Sequence, residues 1–385
     1  MSGFAHGFGA EIRRIGATRV DLFLLTAMPL LLLAAMAAMI FAGSPRGLKT
    51  VIVDHDGGVL ARAITRDIAA SPDLRIVAET PDLGAAMAMI RREDAVAAVV
   101  IPHGVGTRVA QGAPVEIFHQ ALFLSTGALA ATHLRVAVLA ALAQAAPDQA
   151  GLRGVAATRL PLPGVTVTLL GNPTFSLEWY LGLLLGPGVL HLLIAVTAVS
   201  SVGALMRERS FARYVTASAA PGTALAGRLA VHVVAGSIWG TLWLLWLTLA
   251  RGYRVEGSLL LIVLGLILLF AATVSVALLL VAATRTVSTS LSGAVILAGS
   301  ALAYSGASLP LAGASLFARV WSAILPLTHY VTLQMDQVLG VAPAPMLHAA
   351  GALLLYPIVA GGAGLGLMLR DRVTAEAAPG AGARP

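Results

Sequence analysis

The side chains that could do chemistry in this chain are few. GSPRGLKT, Gly43–Thr50, comes within one residue of the phosphate-cradling pattern G-x-x-x-x-G-K-[ST]. In that pattern the second glycine directly precedes the lysine, because loop N–H groups and the ammonium grip the phosphates together. Here Leu48 separates Gly47 from Lys49, and Lys49 is the only lysine present, so no second copy exists. The stretch reads as a turn between a hydrophobic helix and a strand, and any ATP hydrolysis is expected on another chain. Asp54-His55-Asp56 holds ligand-type side chains, but it ends a predicted strand and enters Gly57-Gly58, where aspartate ordinarily caps the next helix. His103, His119 and His133 lack metal-ligand spacing. The absence of cysteine excludes disulfides and thiolate metal sites. No G-x-S-x-G nucleophile elbow is present. No catalytic residue, metal or cofactor is therefore expected.

Acidic side chains inside membrane spans mark proton- or sodium-coupled carriers, because a buried carboxylate is costly. None falls in mid-span: Asp21 and Glu178 lie at predicted span ends and Asp336 in an outer loop. His191 lies near the middle of the second predicted span and His232 nearer the inner end of the third. Histidines can relay protons. The simpler reading is a neutral imidazole bonded to a neighbouring helix or lining a polar cavity, since a lone histidine lacks the carboxylate a relay uses. His191, His232 and Glu178 are the candidates for a transport path.

The elements that carry these residues follow from composition. Of 385 residues, 58% are hydrophobic and 11% charged, with a mean hydropathy of +0.88. Soluble domains carry about 25% charged residues. Long uncharged runs with so little charge define an integral membrane protein. The net charge of +7 is nearly all arginine and sits mostly on one predicted side of the spans. That is an orientation signal rather than a nucleic-acid footprint. The Ala, Gly and Arg usage with a single Lys matches a GC-rich bacterial genome.

Residues 1–20 form a basic, weakly amphipathic N-terminal segment, read as a surface-lying cytoplasmic helix. Leu22 to Phe41 then runs apolar for about 20 residues, enough to cross a bilayer; the first span is placed at 21–43. AGSP at 42–45 has the small residues of a signal-peptide cleavage site, but the apolar run is longer than such peptides carry. Residues 44–173 change character. Strands at 48–56, 74–79, 95–102, 114–120 and 165–170 alternate with helices at 59–72, 83–94 and 124–146. This is the pattern of a compact α/β domain, long enough for its own core. Since the first span crosses outward, the domain is extracytoplasmic. Helix 124–146 is a runner-up span, disfavoured by His133 and Arg135.

Residues 174–370 hold five further spans, at 179–205, 225–249, 258–283, 288–309 and 346–369. A cytoplasmic loop lies at 206–224 and interfacial helices at 310–345, with Trp321, Tyr330 and several prolines. Residues 371–385 read as a disordered cytoplasmic tail. The fold class is thus a mostly α-helical membrane protein of six spans, with the α/β domain inserted between the first two. Arg13, Arg14, Arg19, Arg207, Arg209, Arg213, Arg285, Arg370 and Arg372 fall inside, against Arg251, Arg254 and Arg319 in short outside loops. Both termini are cytoplasmic by the positive-inside rule. Gly182–Gly186 and Gly362–Gly366 are small-x-x-x-small patterns that let helices approach. The loop 204–229 carries Arg207, Glu208, Arg209 and Arg213, sets Phe211 and Tyr214 among the charges, and breaks at Pro221-Gly222. It reads as a short amphipathic helix, either solvated or docking a cytoplasmic partner.

The order of these features resembles the membrane subunit of bacterial ABC-2 type export systems over nearly the whole chain. The matching features are the basic N-terminus, one span, an α/β domain opening with VIVDHD, and five more spans. Asn172-Pro173 precedes the second span and Pro187-Gly188 lies within it. Arg207-Glu208-Arg209 with Pro221 beyond resembles the family's R-E-R-E-x-G-T segment, though Ser210, Ala212 and Arg213 depart from it. Ser305-Gly306-Ala307-Ser308-Leu309-Pro310 and Leu325-Pro326-Leu327-Thr328-His329-Tyr330 resemble its late motifs. The resemblance implies a permease of the bacterial inner membrane that dimerises, with itself or a second permease, and binds a separate cytoplasmic ABC ATPase subunit. Arg13 and Arg14 of the N-terminal segment, with Arg207, Glu208, Arg209, Phe211, Arg213 and Pro221, would make the cytoplasmic contacts. A hydrophobic or amphiphilic substrate, membrane lipid contacts and a periplasmic adaptor are further expectations. Two other classes stay open from the residues: a membrane-anchored sensor with a ligand-binding ectodomain, and an ion-coupled carrier. The first would normally carry a cytoplasmic output domain, and the second lacks mid-span carboxylates.

Overall fold

The computed structural model describes residues 3–41, 46–105, 115–119, 124–149, 176–207, 220–306, 311, 313–340 and 343–376. The chain divides into two compact units, Met1–Phe41 with Leu169–Pro385, and Ala42–Thr168.

The second unit is a four-stranded sheet in the order β2-β1-β3-β4, where β1 is Leu48–Asp54, β2 Leu74–Thr80, β3 Ala97–Ile101 and β4 Glu116–His119. β1 pairs in parallel with β2 and β3, and β4 runs antiparallel to β3. The central strands are apolar on both faces because both are covered. Ile52, Val99 and Ile101 pack with Leu60, Ile64 and Ile68 of α4 (Val59–Ala70) and with Leu134 and Val138 of α6 (Leu124–Gln149). Val51, Val53 and Val100 pack on the other face with Ala86 and Ile90 of α5 (Leu83–Arg91). Lys49 lies inside β1 instead of opening a helix, so the near-miss nucleotide motif is part of a strand. The predicted strand at 165–170 lies outside the described residues.

Among its described residues, the first unit's regular structure is all helical. α1 (Gly3–Ala17), α2 (Arg19–Leu25) and α3 (Ala27–Ile40) precede the sheet unit in sequence. After it come α7 (Leu177–Arg207), α8 (Pro221–Leu245), α9 (Leu259–Thr284), α10 (Val287–Tyr304), α11 (Leu316–Ile324), α12 (Pro326–Leu339), α13 (Pro343–Tyr356) and α14 (Gly362–Glu376). π-helical turns at Trp246–Ala250 and Pro357–Gly361 extend α8 and join α13 to α14. Pro357 has no N–H to give the preceding turn, and a wider turn accommodates that loss. Local chemistry sets several ends. Ser258 Oγ accepts from Leu261 N to start α9, and Ser315 Oγ accepts from Ala318 N to start α11. Pro326 opens α12, and Gly340, at φ 68°, closes it in the left-handed region.

Among the described residues, seven stretches are long and apolar enough to span a membrane: Arg19–Ile40, Gly127–Gln144, Leu177–Met206, Pro221–Ala250, Leu259–Thr284, Val287–Tyr304 and Met346–Arg370. Six coincide with the runs read as spans. The seventh lies in α6, whose Ala130, Leu134, Ala137, Val138 and Ala141 are buried in the core of the sheet unit. Helix also continues through residues 371–376, into the stretch read as tail.

α1 is not a free surface helix. It buries Gly7, Glu11 and Ile15, one face at four-residue spacing, and lies along the first turns of α8. A Cβ at Gly7 would collide with the Ala224 backbone, and one at Gly227 with the Phe4 backbone. The two small-x-x-x-small patterns differ in outcome. Gly182 and Gly186 both face α8, where Trp243 Nε1 donates to the Gly182 carbonyl at 2.8 Å. A Cβ at Gly362 or Gly366 would meet nothing within 4 Å, whereas one at Gly364 would meet the Leu279 backbone of α9.

Candidate functional site

Two buried polar assemblies and one apolar cavity stand out in the helical unit. The larger assembly is built on Glu11, which is 0% exposed. Its Oε1 accepts from Arg14 Nη2 at 2.6 Å and from Ser201 Oγ at 2.7 Å, and lies 3.3 Å from His232 Nε2. Its Oε2 accepts from Arg14 Nε at 2.9 Å and lies 3.0 Å from Arg228 Nε. Arg228, 6% exposed, also donates to the Ser201 hydroxyl and carbonyl, each at 2.9 Å. Arg14 Nη1 donates to Asp21 Oδ2 at 2.6 Å, and His232 Nδ1 lies 3.2 Å from Thr197 Oγ1. The knot joins α1, the start of α2, the late part of α7 and the early part of α8. Two carboxylates and two guanidiniums balance in charge, as burial demands.

Burial by itself would raise the Glu11 carboxyl. The hydrogen bonds from His232 and Arg14, the charge of Arg228 and the Ser201 hydroxyl outweigh it and hold the group far below the usual carboxylate range. Burial likewise opposes the charge on Arg14, and Glu11 and Asp21 reverse that, raising the guanidinium further. A carboxylate held this firmly, with both oxygens engaged, is a poor proton carrier and a good mechanical tie.

The sequence reading left His232 without a carboxylate; the structure supplies one from 221 residues away. Arg14 is committed inside this knot, whereas Arg13 on the same helix is exposed. A local signal for the knot does exist in the sequence. Glu11 sits between Gly7 and Ile15 at i±4, so an acid shares a face with a glycine and an isoleucine. That is the face a packed helix buries.

The second assembly lies at the other end of α7, roughly 35 Å away at 1.5 Å per residue. Glu178, 0% exposed, takes a bidentate pair from Arg251, Nε to Oε1 at 2.7 Å and Nη2 to Oε2 at 2.9 Å. Tyr253 Oη donates to Oε2 at 2.6 Å, and its ring stacks on Trp179 at 5.0 Å. Arg251 Nη2 also donates to the Phe41 carbonyl at 3.1 Å, and the guanidinium lies 4.3 Å over the Phe41 ring. The hydrogen bond to Glu178 raises the Arg251 guanidinium beyond its usual range. Arg251, in the segment after α8, thus ties Phe41 at the end of α3 to Glu178 of α7.

The third feature is a cavity of about 550 Å³ among α7, α9, α10, α11, α12 and α13. Its walls are almost wholly apolar; the polar side chains on it are His191, Thr273, His329 and Tyr356. His191 Nδ1 lies 2.7 Å from Thr273 Oγ1, the neighbouring-helix bond anticipated for a buried imidazole.

Of the residues read as cytoplasmic contacts, Pro221 opens α8 and Arg207 ends α7. The Arg207 side chain and Glu208, Arg209, Phe211 and Arg213 lie outside the described residues. Asp54 Oδ1 accepts from the N–H groups of Asp56 and Gly57 at 2.8 and 2.9 Å, and Asp56 Oδ1 accepts from Gly104 N at 2.6 Å. These aspartates hold turns together, but they do not cap the next helix as expected: Gly58 stands at the N-cap of α4, with no side-chain bond to the helix.

A family model described as "ABC-2 family transporter protein" matches residues 19–365. No curated protein and no solved structure matches the chain.

Proposed function

Because the chain belongs to the ABC-2 transporter family, we propose that it is the permease subunit of an exporter driven by ATP hydrolysis on a separate cytoplasmic ABC ATPase subunit. Six of the seven long apolar helices are the spans. α6 is not one of them, because its buried face belongs to the sheet unit, which we assign as an extracytoplasmic α/β domain. The arginines at the α1 end of the spans support both termini lying in the cytoplasm of a bacterial cell, with the spans in its inner membrane. The permease works as a dimer.

The Glu11 knot is the observation that carries this reading. α1 packs on the first turns of α8, the helix that follows in sequence the stretch resembling the family's coupling element. A force delivered there by the ATPase reaches α7 and α8 through Glu11, Arg228 and Ser201 without loss to side-chain slack. Such coupling requires the partner to contact the two states differently. Arg13, Arg207, Glu208, Arg209, Phe211 and Arg213 form the docking surface, and Pro221 starts the helix that receives the push. The 550 Å³ cavity, with its apolar wall, suits a hydrophobic or amphiphilic substrate drawn from the cytoplasm or inner leaflet.

Affinity purification of the permease together with the ABC ATPase encoded beside it tests the reading. Reversing charge at Arg207 and Arg213 releases the ATPase while membrane insertion is unchanged. Retention of the ATPase by that variant would remove the docking assignment.

A further inference from the structure

We propose that the cavity selects uncharged apolar molecules carrying a hydrogen-bond donor, a hydroxyl or an N–H, because the polar side chains on its described wall, with neutral imidazoles, have their protons bound to protein oxygens and face it with acceptors. This rests on the permease reading for its biological sense, though not for its geometry.

The argument follows the protons. Thr273 Oγ1 lies 2.7 Å from the Leu269 carbonyl. Two oxygens approach so closely only with a proton between them, and a carbonyl has none. The single Thr273 proton is therefore spent, and the hydroxyl meets His191 as an acceptor. His191 Nδ1, 2.7 Å from that oxygen, must carry the ring proton. That leaves Nε2 of the neutral ring with a lone pair, on a residue 4% exposed that lines the cavity.

His329 Nε2 lies 3.0 Å from the Ala323 carbonyl and must donate, which in the neutral ring makes Nδ1 the acceptor. Tyr356 Oη donates at 2.8 Å to the Ile324 carbonyl, which leaves its oxygen lone pairs. Both carbonyls belong to the last turn of α11, where a helix presents unpaired acceptors and the negative end of its dipole. His329 and Tyr356 cap those carbonyls and so lose their own donors. Among the described residues on the wall there is no Lys, Arg, Asp or Glu. A carboxylate or phosphate would enter without a donor or a positive charge to meet it, and an ammonium without a counter-ion. A neutral donor on an apolar body is the chemistry that remains.

The test uses the full chain in phosphatidylcholine nanodiscs, with binding measured as the excess over empty nanodiscs. The probes are para-decylphenol, its methyl ether and para-decylbenzoate, which share a skeleton and differ at one end. The phenol is expected to bind about tenfold more tightly than the ether, the worth of one buried hydrogen bond, and the benzoate to show no excess. His191→Phe keeps a ring but removes the acceptor and brings the phenol towards the ether. His191→Gln restores an acceptor oxygen and recovers part of the difference. Equal binding of phenol and ether, or preference for the benzoate, overturns the proposal. So does a phenol preference that survives His191→Phe. If no probe binds, the ligand site is lost while ATPase co-purification still reports on the permease reading. Should His191→Phe fail to fold, the wild-type ratio of phenol to ether decides alone.

Discussion

Glu11 and Arg228 close a buried ion pair, Nε to Oε2 at 3.0 Å, between the first helix of the chain and the helix that begins at Pro221. Removing one partner of such a pair strands the other charge in a poorly solvated place, at a cost of about 3 kcal/mol. Glu11→Gln should therefore lower the midpoint of thermal unfolding in detergent, and Arg228→Met should do the same. The double variant should recover part of the loss, since no lone charge faces that oxygen. A double-mutant cycle reads this as a coupling energy of about 2 kcal/mol. Additive losses would mean that the pair is bystander to the packing of α1.

The same carboxylate sets a pH signature. Its folded value lies below the ordinary 4.5, so the unfolded chain takes up the proton first as pH falls. The stabilisation is complete above about 4.5 and is lost progressively as pH falls towards the folded value. Unfolding midpoints from pH 7 to 5 should be indifferent to Glu11. Below that, the difference between wild type and Glu11→Gln should narrow, and a gap that stayed constant down to pH 3 would contradict the assignment.

Glycine contacts make a sharper test of how α1 docks. Gly7→Ala should push α1 off α8, because its new methyl meets the Ala224 backbone, which cannot rotate away. Limited trypsin digestion would report this as faster cleavage after Arg14, whose guanidinium is tied down in the docked state. Gly16→Ala on the same helix meets nothing within 4 Å. It should leave cleavage unchanged and add about 0.5–1 kcal/mol through helix propensity.

At the opposite end of α7, Arg251→Ala should cost about 2 kcal/mol by stranding Glu178 and releasing Phe41. Arg251→Lys should restore little, because a single ammonium cannot reproduce the two-pronged geometry to both carboxylate oxygens. Full rescue by lysine, measured as the unfolding midpoint, would show that charge alone matters there.

Several features were open to reading in the chain itself. The six apolar runs needed no partner to be recognised, since a bilayer sets their length and composition one segment at a time. The alternation of VIVDHD, VLARAITRDIAA and LRIVAE was enough to foresee strands flanked by helices. Asp54 and Asp56 read as caps of the next helix, whereas they brace the turn before it. α6 shows where this stops. Its hydropathy satisfies the criterion for a span, yet Leu134 and Val138 lie in the core with β3 and α4. An apolar stripe on a helix says that something covers it, not whether that something is lipid or sheet.

What the amino-acid order settled alone is therefore the membrane character, the apolar segments, the sheet-forming insert and the set of polar residues available. Which of those residues meet was decided in three dimensions. Nothing near His232 in sequence announces Glu11, and nothing near Glu178 announces Arg251. Nor does spacing tell that Gly364, rather than Gly362 or Gly366, touches a neighbouring helix. Helices and spans arise from interactions among residues a few positions apart. A buried charge is tolerable only beside partners that the packing of distant helices brings within 3 Å or so of it.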